Sequence, residues 1–445
     1  MVEIAPVTMS IHQIFVSFQR LSAVDKVKTL ELLEKSLKLD PIHILPKEII
    51  LFILSFMNYR DLLNLKLLNK SYYKLIKDEH IWYKLFLHEY PIYKDMDYNK
   101  FEFYYMQQHH LDANWSRLKY NVFATKIHSR GIYCVDVHDV VVCGGRDQLV
   151  KIFDLNGNLL SKMAGHTASV LCTELVADTS NNDINIPPHL QPVPNKSTIV
   201  SGSSDATVAI WNIKTNKLLQ RFPAHREAVL NVSIYQHFQT FATCSKDRHV
   251  RLWDVTNLQT PLVNMDGHQA AVNSVVALQD VIVSAGGDRM IKIWDKRSGT
   301  TVMNLQGHER GIACLDVDLS YIVSGSSDKT IRIHDLRMGT CFNVIRVHDE
   351  LVRTVAINAR RNIVVSGSYD CKVVATNFMH SQYTHTVLKP PQPYTVLEYS
   401  DDHIDQLRTT ERGLGHSSRV FNVAMSNDRI ISVAEDNRIM VWNFS

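Results

Sequence analysis

Residues 282–295 read IVSAGGDRMIKIWD, and the same pattern returns at 199–212 (IVSGSSDATVAIWN), 241–254 (FATCSKDRHVRLWD) and 322–335 (IVSGSSDKTIRIHD). Each is an apolar run, a tight turn ending in Asp, and a second run that alternates apolar and polar side chains. That is the signature of a β-hairpin. The turn aspartates are Asp147, Asp205, Asp247, Asp288, Asp328, Asp370 and Asp436, spaced 58, 42, 41, 40, 42 and 66 residues apart. The middle spacings match the period of about 40–45 residues expected of propeller blades, and the outer two add an insertion to it.

Six residues after each Asp stands Phe153, Trp211, Trp253, Trp294, His334, Thr376 or Trp442. Four before it stands Cys143, Ser201, Thr243, Ser284, Ser324, Ser366 or Ser432. Further upstream is His128, His166, His225, His268, His308, His348 or His416. A His, a hydroxyl and a carboxylate invite a hydrolase triad. A nucleophile, however, is unique in its site, and this set repeats in blade after blade. Buried polar groups need partners, so the pattern predicts a His–hydroxyl–Asp–indole chain that pins each turn to the neighbouring loop. No catalytic residue, metal site or cofactor is expected. The pattern resembles the WD repeat, seven times over. The implied fold class is a small N-terminal all-α region followed by an all-β seven-bladed propeller at 117–445. Trp442 ends a third strand, so the seventh blade lacks an outer one and would expose an edge. The alternating segment 118–126 (LKYNVFATK) is predicted to supply it and close the ring.

The 445 residues exceed one ordinary domain, and 45% hydrophobic with 21% charged residues excludes a mainly disordered chain. The net charge of +3 argues against a general nucleic-acid or membrane polycation, and no apolar run is long enough to span a bilayer. The seven cysteines are scattered and form no C-x-x-C, as expected for reduced thiols. With no secretory signal visible at the N-terminus, a cytoplasmic or nuclear location is expected.

Ahead of the repeats, a helix is predicted from Ser22 to about Lys38, with Val24, Val27, Leu30, Leu33 and Leu37 on one face. It either packs on its own chain or serves a homodimer through residues 10–39. The next stretch, ILPKEIILFILSFMNYRDLLNLKLLNKSYYKLIKDEHIWYKLF, holds more apolar residues than three short helices can hide. It resembles an F-box at 40–88, with Leu45, Pro46, Ile49, Ile50, Leu54, Leu63 and Leu67 at positions that in the family bind the Skp adaptor of SCF ubiquitin ligases. Tyr72 stands where the family usually has Trp. Residues 89–116 are expected to form a helical linker.

Strand parity places the repeat His and the turn Asp at one end of the ring, the top face. Residues three and five after the His, and the one before the Asp, should share that face. These positions gather Arg146, Lys246, Arg353 and Arg419 against the single carboxylate Glu435, and Arg310 adjoins Gly311. Arg146, Arg310, Arg353 and Arg419 fall on blades 5, 6, 7 and 1, contiguous in a closed ring. Guanidinium beside hydroxyl suits phosphate. Tyr133, Leu171, Leu230 and Leu351 are expected to shape an apolar pocket at the channel mouth. No extended basic groove or aromatic ladder suggests nucleic acid.

The strings RGIYC, GHTASVLC, EAVLNV, TCSKDR, AAVNSV, SGSSDKTIRI, ELVRTV and SRVFNV resemble the β-TrCP family of F-box/WD-repeat receptors. The resemblance implies a non-catalytic substrate receptor of an SCF ligase. Through the Skp adaptor it would join cullin and RING subunits, and it would direct phosphorylated substrates to ubiquitination and proteasomal degradation. It implies a site for Asp-pSer-Gly-type degrons at Tyr133, Arg146, Ser169, Ser204, Asn273, Gly287, Arg310, Gly311, Ala313, Ser327, Arg353, Tyr369 and Arg419. Glu435 and the insertions 177–197 and 378–403 depart from the family, and both insertions are expected on the bottom face. A WD-repeat scaffold unlinked to ubiquitination is the alternative. Deleting residues 1–38 should lower self-association in sedimentation without altering peptide affinity, and a full-length chain that is already monomeric would contradict the dimerisation segment.

Overall fold

A computed structural model describes residues 47–54, 56–57, 59–68, 70–89, 101–126, 128–176, 198–235, 239–379, 385–389, 394–400, 403–410 and 415–445. The segment expected to dimerise (10–39), Leu45, Pro46 and the insertion 177–197 lie outside the described residues. The chain divides into two compact units, Met1–Ser116 and Arg117–Ser445.

In the first unit, short amphipathic helices α1 (Lys47–Leu54), α2 (Tyr59–Leu68), α3 (Lys70–Ile76) and α4 (Glu79–Glu89) precede a longer helix α5 (Phe101–Arg117). Ile50, Leu54, Leu62, Ile76, Ile81 and Trp82 form a common core with Phe101 and Tyr105 of α5. Three short helices cannot bury Trp82 by themselves, and the aromatic face of α5 completes its cover. The buried indole N–H is satisfied by the Ile76 carbonyl at 2.7 Å.

The second unit is a ring of seven antiparallel sheets, six with four strands and one with six. Their innermost strands are Ile132–Val137, Val170–Leu175, Val229–Ile234, Val272–Ala277, Ile312–Asp318, Val352–Asn358 and Val420–Met425. Neighbouring inner strands touch all the way round, the seventh meeting the first. Side chains lace them together. Asp136 accepts from Leu175 N at 2.7 Å, Glu174 from Ile234 N at 3.0 Å and Ser233 from Ala277 N at 3.0 Å. Asp316 accepts from Ile357 N at 2.8 Å and Thr354 from Val423 N at 3.1 Å. Each link ties a blade to the next through a backbone N–H that no strand ladder satisfies.

The expected closure is present. Asn121–Lys126 pairs antiparallel with Arg438–Asn443, Val122 opposite Trp442. The insertion 378–403 is not the single bottom-face excursion expected. His385–Val387 completes the sixth blade. Tyr394–Ser400 then pairs parallel with the closing strand, and His403–Thr410 pairs antiparallel with Tyr394–Ser400. The edge left by Asn121–Lys126 is a row of open backbone donors and acceptors, and the alternating segment YTVLEYS supplies a strand that can take them up.

The predicted polar chain recurs with local variations. In the fourth blade His268 bonds Asp288 at 2.7 Å through Nδ1 and Ser284 at 2.7 Å through Nε2, while Trp294 donates to Ser284 at 2.8 Å. Trp211, Trp253 and Trp442 donate to Ser201, Thr243 and Ser432 in the same way. In the first blade Cys143 replaces the hydroxyl, and Lys151 pairs with Asp147 at 3.2 Å. Burial pushes the Asp147 carboxyl up, but bonds from His128 and Lys151 outweigh it and bring it down to about 2.

The fifth blade departs most. His334 fills the tryptophan position, is buried, and neither ring nitrogen has a partner. Burial drives its imidazole down to about 4 from an ordinary 6.5, with His308 and Arg332 acting in the same direction. The neutral ring's contribution to stability is therefore full above about pH 6.5 and is lost as pH falls toward 4, because the unfolded chain takes up the proton first. His334→Trp should set an indole N–H on Ser324. The expected result is a melting temperature raised by roughly 2–4 °C near neutrality, with a gain that widens as pH falls from 6.5 to 4. Circular-dichroism melts across that range check it.

Candidate functional site

Three positions of each blade converge on the top end of the ring, held there by a backbone bond that every blade repeats. The residue before the turn Asp donates its N–H to the carbonyl of the residue three after the repeat His. The donor–acceptor pairs are Arg146–Gly131, Ser204–Ser169, Lys246–Ala228, Gly287–Ala271, Ser327–Gly311, Tyr369–Leu351 and Glu435–Arg419, all between 2.8 and 3.1 Å. These fourteen positions form the rim.

The residue five after the repeat His behaves differently. In all seven inner strands the pairing register slips at this residue, a β-bulge at Tyr133, Leu171, Leu230, Asn273, Ala313, Arg353 and Phe421. A bulge adds one unpaired residue and turns its side chain out of the ladder. All seven line one central cavity of about 430 Å³. Simple alternation predicted the face correctly but not the means, since an unbroken strand would carry this side chain into the ladder's ordinary register.

The structure thus separates the predicted site residues into two tiers. Tyr133, Asn273, Ala313 and Arg353 line the cavity, together with Leu171 and Leu230. Arg146, Ser169, Ser204, Gly287, Gly311, Ser327, Tyr369 and Arg419 stand on the rim, and Arg310 adjoins it. Leu351, expected in the apolar pocket, is a correction: it is a rim residue whose carbonyl receives Tyr369 N, and it does not line the cavity. Phe421, not chosen as a site residue from the sequence, lies 5.2 Å from the Tyr133 ring and 5.9 Å from the Tyr369 ring. It joins blades 1, 7 and 6 into one aromatic wall. Its place five residues after His416 was the available signal.

The cations differ in how far they are engaged. Arg146, Arg310 and Arg419 are exposed, and Arg353 is half-buried in the cavity. Arg353 donates to the Ala313 carbonyl at 3.3 Å, and Arg419 lies over the Tyr369 ring at 5.1 Å. Among the described residues, none of these four guanidiniums makes an ion pair with a carboxylate. Lys246, the fifth cation counted on this face, is paired with Glu227 at 3.4 Å. Asn273 donates its amide to the Ile312 carbonyl at 2.6 Å, which leaves its side-chain oxygen to accept. The cavity wall also carries Asp136, Glu174 and Asp316. Burial pushes the Asp316 carboxyl up to about 6 and that of Glu174 well above its ordinary value. Carboxylates along that wall and free guanidiniums at the mouth make the top end the attractive one for an anion.

No repeat His is a free base. Burial lowers His128, His166, His225 and His308, and each ring is bonded at both nitrogens. The arrangement can hold an anion and an extended peptide; it offers no activated nucleophile.

In the first unit, Leu67 is 84% and Leu68 is 68% exposed at the end of α2, with Phe56 exposed nearby in sequence. Ile49 and Leu63 are half-buried. Ile50 and Leu54, expected to touch a Skp adaptor, are core residues of this unit instead. A helix of 8 residues has few apolar side chains, and the inward face takes these two.

Comparison with known proteins agrees with both units. Residues 42–88 match the F-box-like family model, and residues 216–254, 259–295, 299–335 and 339–374 each match the WD domain, G-beta repeat. Each match runs from the outer strand of one blade into the next, and the structure carries the pattern through three further blades. The chain is 26% identical to apoptotic protease-activating factor 1 of Rattus norvegicus over 193 residues, 37% of this chain and 15% of the relative. It is 26% identical to the ribosome biogenesis protein WDR12 homolog of Nematostella vectensis over 191 residues, 36% of this chain and 42% of the relative. It is 31% identical to nuclear distribution protein nudF of Aspergillus flavus over 113 residues, 24% of this chain and 25% of the relative. The chain spans less than half the length of these relatives. Their names describe unrelated roles. The architecture is a small helical F-box-like region followed by a seven-bladed WD40 propeller, and no enzymatic domain is among the matched families.

Arg353→Ala should weaken a doubly phosphorylated Asp-pSer-Gly-type peptide by about 2 kcal/mol or more, since it leaves a partly desolvated phosphate without its cation. Arg146→Ala, at the exposed rim, should cost less. Fluorescence anisotropy with labelled peptide measures both, and unchanged affinity in both variants would remove the rim from consideration.

Proposed function

We propose that this chain is a non-catalytic substrate receptor of an SCF-type ubiquitin ligase, acting as β-TrCP-like receptors do. In this reading, the F-box-like unit docks on a Skp1-type adaptor and through it on cullin and RING subunits. The top face of the propeller captures a phosphorylated degron, and the substrate is held for ubiquitination and proteasomal degradation. The contribution of the chain is proximity and orientation of the acceptor lysine. A cytoplasmic or nuclear site of action goes with it.

The observation that carries the reading is the set Arg146, Arg310, Arg353 and Arg419. These four guanidiniums lie at or beside one ring-end, with no ion pair to a described carboxylate, beside the hydroxyls of Ser169, Ser204 and Ser327. A phosphoserine brings about −1.5 to −2 charge and three strong acceptors, which is what such donors match. Exposed Leu67 and Leu68 support the other half, because large apolar side chains side by side in water favour a partner surface.

A scaffold unlinked to ubiquitination would keep the propeller's binding and lose the adaptor. Leu67→Asp in the full chain tests this, since an 84% exposed side chain should tolerate the charge without loss of fold. Co-precipitation of a Skp1-type adaptor is expected to fall at least tenfold while the melting temperature is unchanged. No adaptor binding by the unaltered chain would favour the scaffold.

A further inference from the structure

Glu435 is the only carboxylate among the fourteen rim positions, and nothing in an anion-binding role explains it. It is exposed and makes no ion pair among the described residues. Its rim partner is Arg419, whose carbonyl receives Glu435 N at 3.0 Å. The obvious neutralisation within this pair does not occur: the guanidinium lies over Tyr369 at 5.1 Å, and the Glu435 carboxylate accepts only from the Ser418 hydroxyl at 3.1 Å. The two opposite charges of this blade are therefore held apart.

What lies beside Glu435 is a gap. The next blade presents Gly131, and a methyl group placed there would sit 3.5 Å from the Glu435 Cα and 3.8 Å from Cε2 of Phe421. The space over Gly131 is thus open, with Glu435 on one side and the Phe421 ring on the other. Tyr133 stands 5.2 Å from that ring and extends the wall toward the cavity. A carboxylate beside paired aromatic rings is the chemistry that recognises a cation: ion pairing on one side and the ring quadrupole on the other. A dianion is repelled from Glu435 and attracted to Arg419, Arg146 and Arg353.

We propose that Glu435, Phe421, Tyr133 and the space over Gly131 form a cation subsite that takes a Lys or Arg side chain of the bound peptide, adjoining the phosphate-binding arginines. This rests on the phosphodegron reading and deepens it. The preferred ligand carries a basic residue next to a phosphoserine in sequence, and an acidic residue at the same place is discriminated against. Glu435 is a specificity residue here, attracting one class of peptide and repelling another.

The test uses the full-length chain and fluorescein-labelled Asp-pSer-Gly-x-x-pSer peptides. Lys, Ala or Glu is placed in turn at each position within three residues of a phosphoserine. The unaltered chain is expected to bind a Lys peptide about 3- to 10-fold tighter than its Ala counterpart at one such position, the range of a partly exposed ion pair with ring support. Glu435→Gln should erase the preference, and Glu435→Lys should reverse it in favour of Glu at that same position. Thermal melts of both variants should be unchanged, as befits an exposed side chain. Equal affinity for Lys, Ala and Glu at every position would overturn the subsite and leave the phosphodegron reading standing. A Lys preference that survives in Glu435→Gln would overturn it too. Failure of the unaltered chain to bind any phosphopeptide would overturn both.

Discussion

The bond on which the ring depends is the one between a buried imidazole Nδ1 and a turn carboxylate. It is made in every blade, at 2.8 Å from His128 to Asp147, 3.3 Å from His166 to Asp205 and 3.0 Å from His225 to Asp247. The later blades give 2.7 Å from His268, 2.8 Å from His308, 2.9 Å from His348 and 3.2 Å from His416. The bond ties the loop that enters a blade to the hairpin that turns at its top. The residue after the turn Asp adopts a left-handed backbone without being glycine, as at Ala206, Arg248 and Lys329 with φ of 66°, 75° and 69°. That conformation costs about 1–2 kcal/mol for an L-residue. It persists because the carboxylate also receives backbone N–H groups, as Asp288 does from Gln269 and Met290. The strain is local and the polar chain offsets it.

Once the turn is held, the rim follows. The residue before the Asp can reach only the carbonyl of the incoming strand's first residues, so each blade contributes the same pair to the top face. The glycine of the second strand completes the fit between blades. A Cβ at Gly202 would sit 2.6 Å from Val229 of the next blade, and one at Gly325 would sit 2.7 Å from Val352. Close approach of sheets and a shared top face are two results of one repeated geometry. Function is then written in positions that the geometry leaves unconstrained, which is why the rim can carry Arg146, Ser204, Gly287 or Glu435 with the same backbone beneath.

Much of this was legible in the sequence because it is periodic. Four complete His–Ser/Thr–Asp–Trp sets in fixed register identified the blades, and alternation in LKYNVFATK identified the closing strand. Legibility failed where period gave way to local geometry. The fold of residues 378–403 was misplaced because HTV is too short to announce a strand, so a blade's outer strand was read as part of a loop. Ile50 and Leu54 were assigned to a partner because an apolar residue on a short helix carries no mark of which neighbour will cover it. Leu351 was put in the pocket because its side chain is apolar, whereas its place three residues after the His puts it on the rim.

The amino-acid order alone determined the number of blades, the polar chain that holds each turn, and which residues share the top face, since all three depend on spacing along the chain. Only the folded ring decided that the fifth residue after each His bulges into the cavity, that Arg419 lies on Tyr369 instead of on Glu435, and that Phe421 joins three blades. Those outcomes depend on distances between strands remote in sequence, which closure of the ring creates and no local pattern encodes.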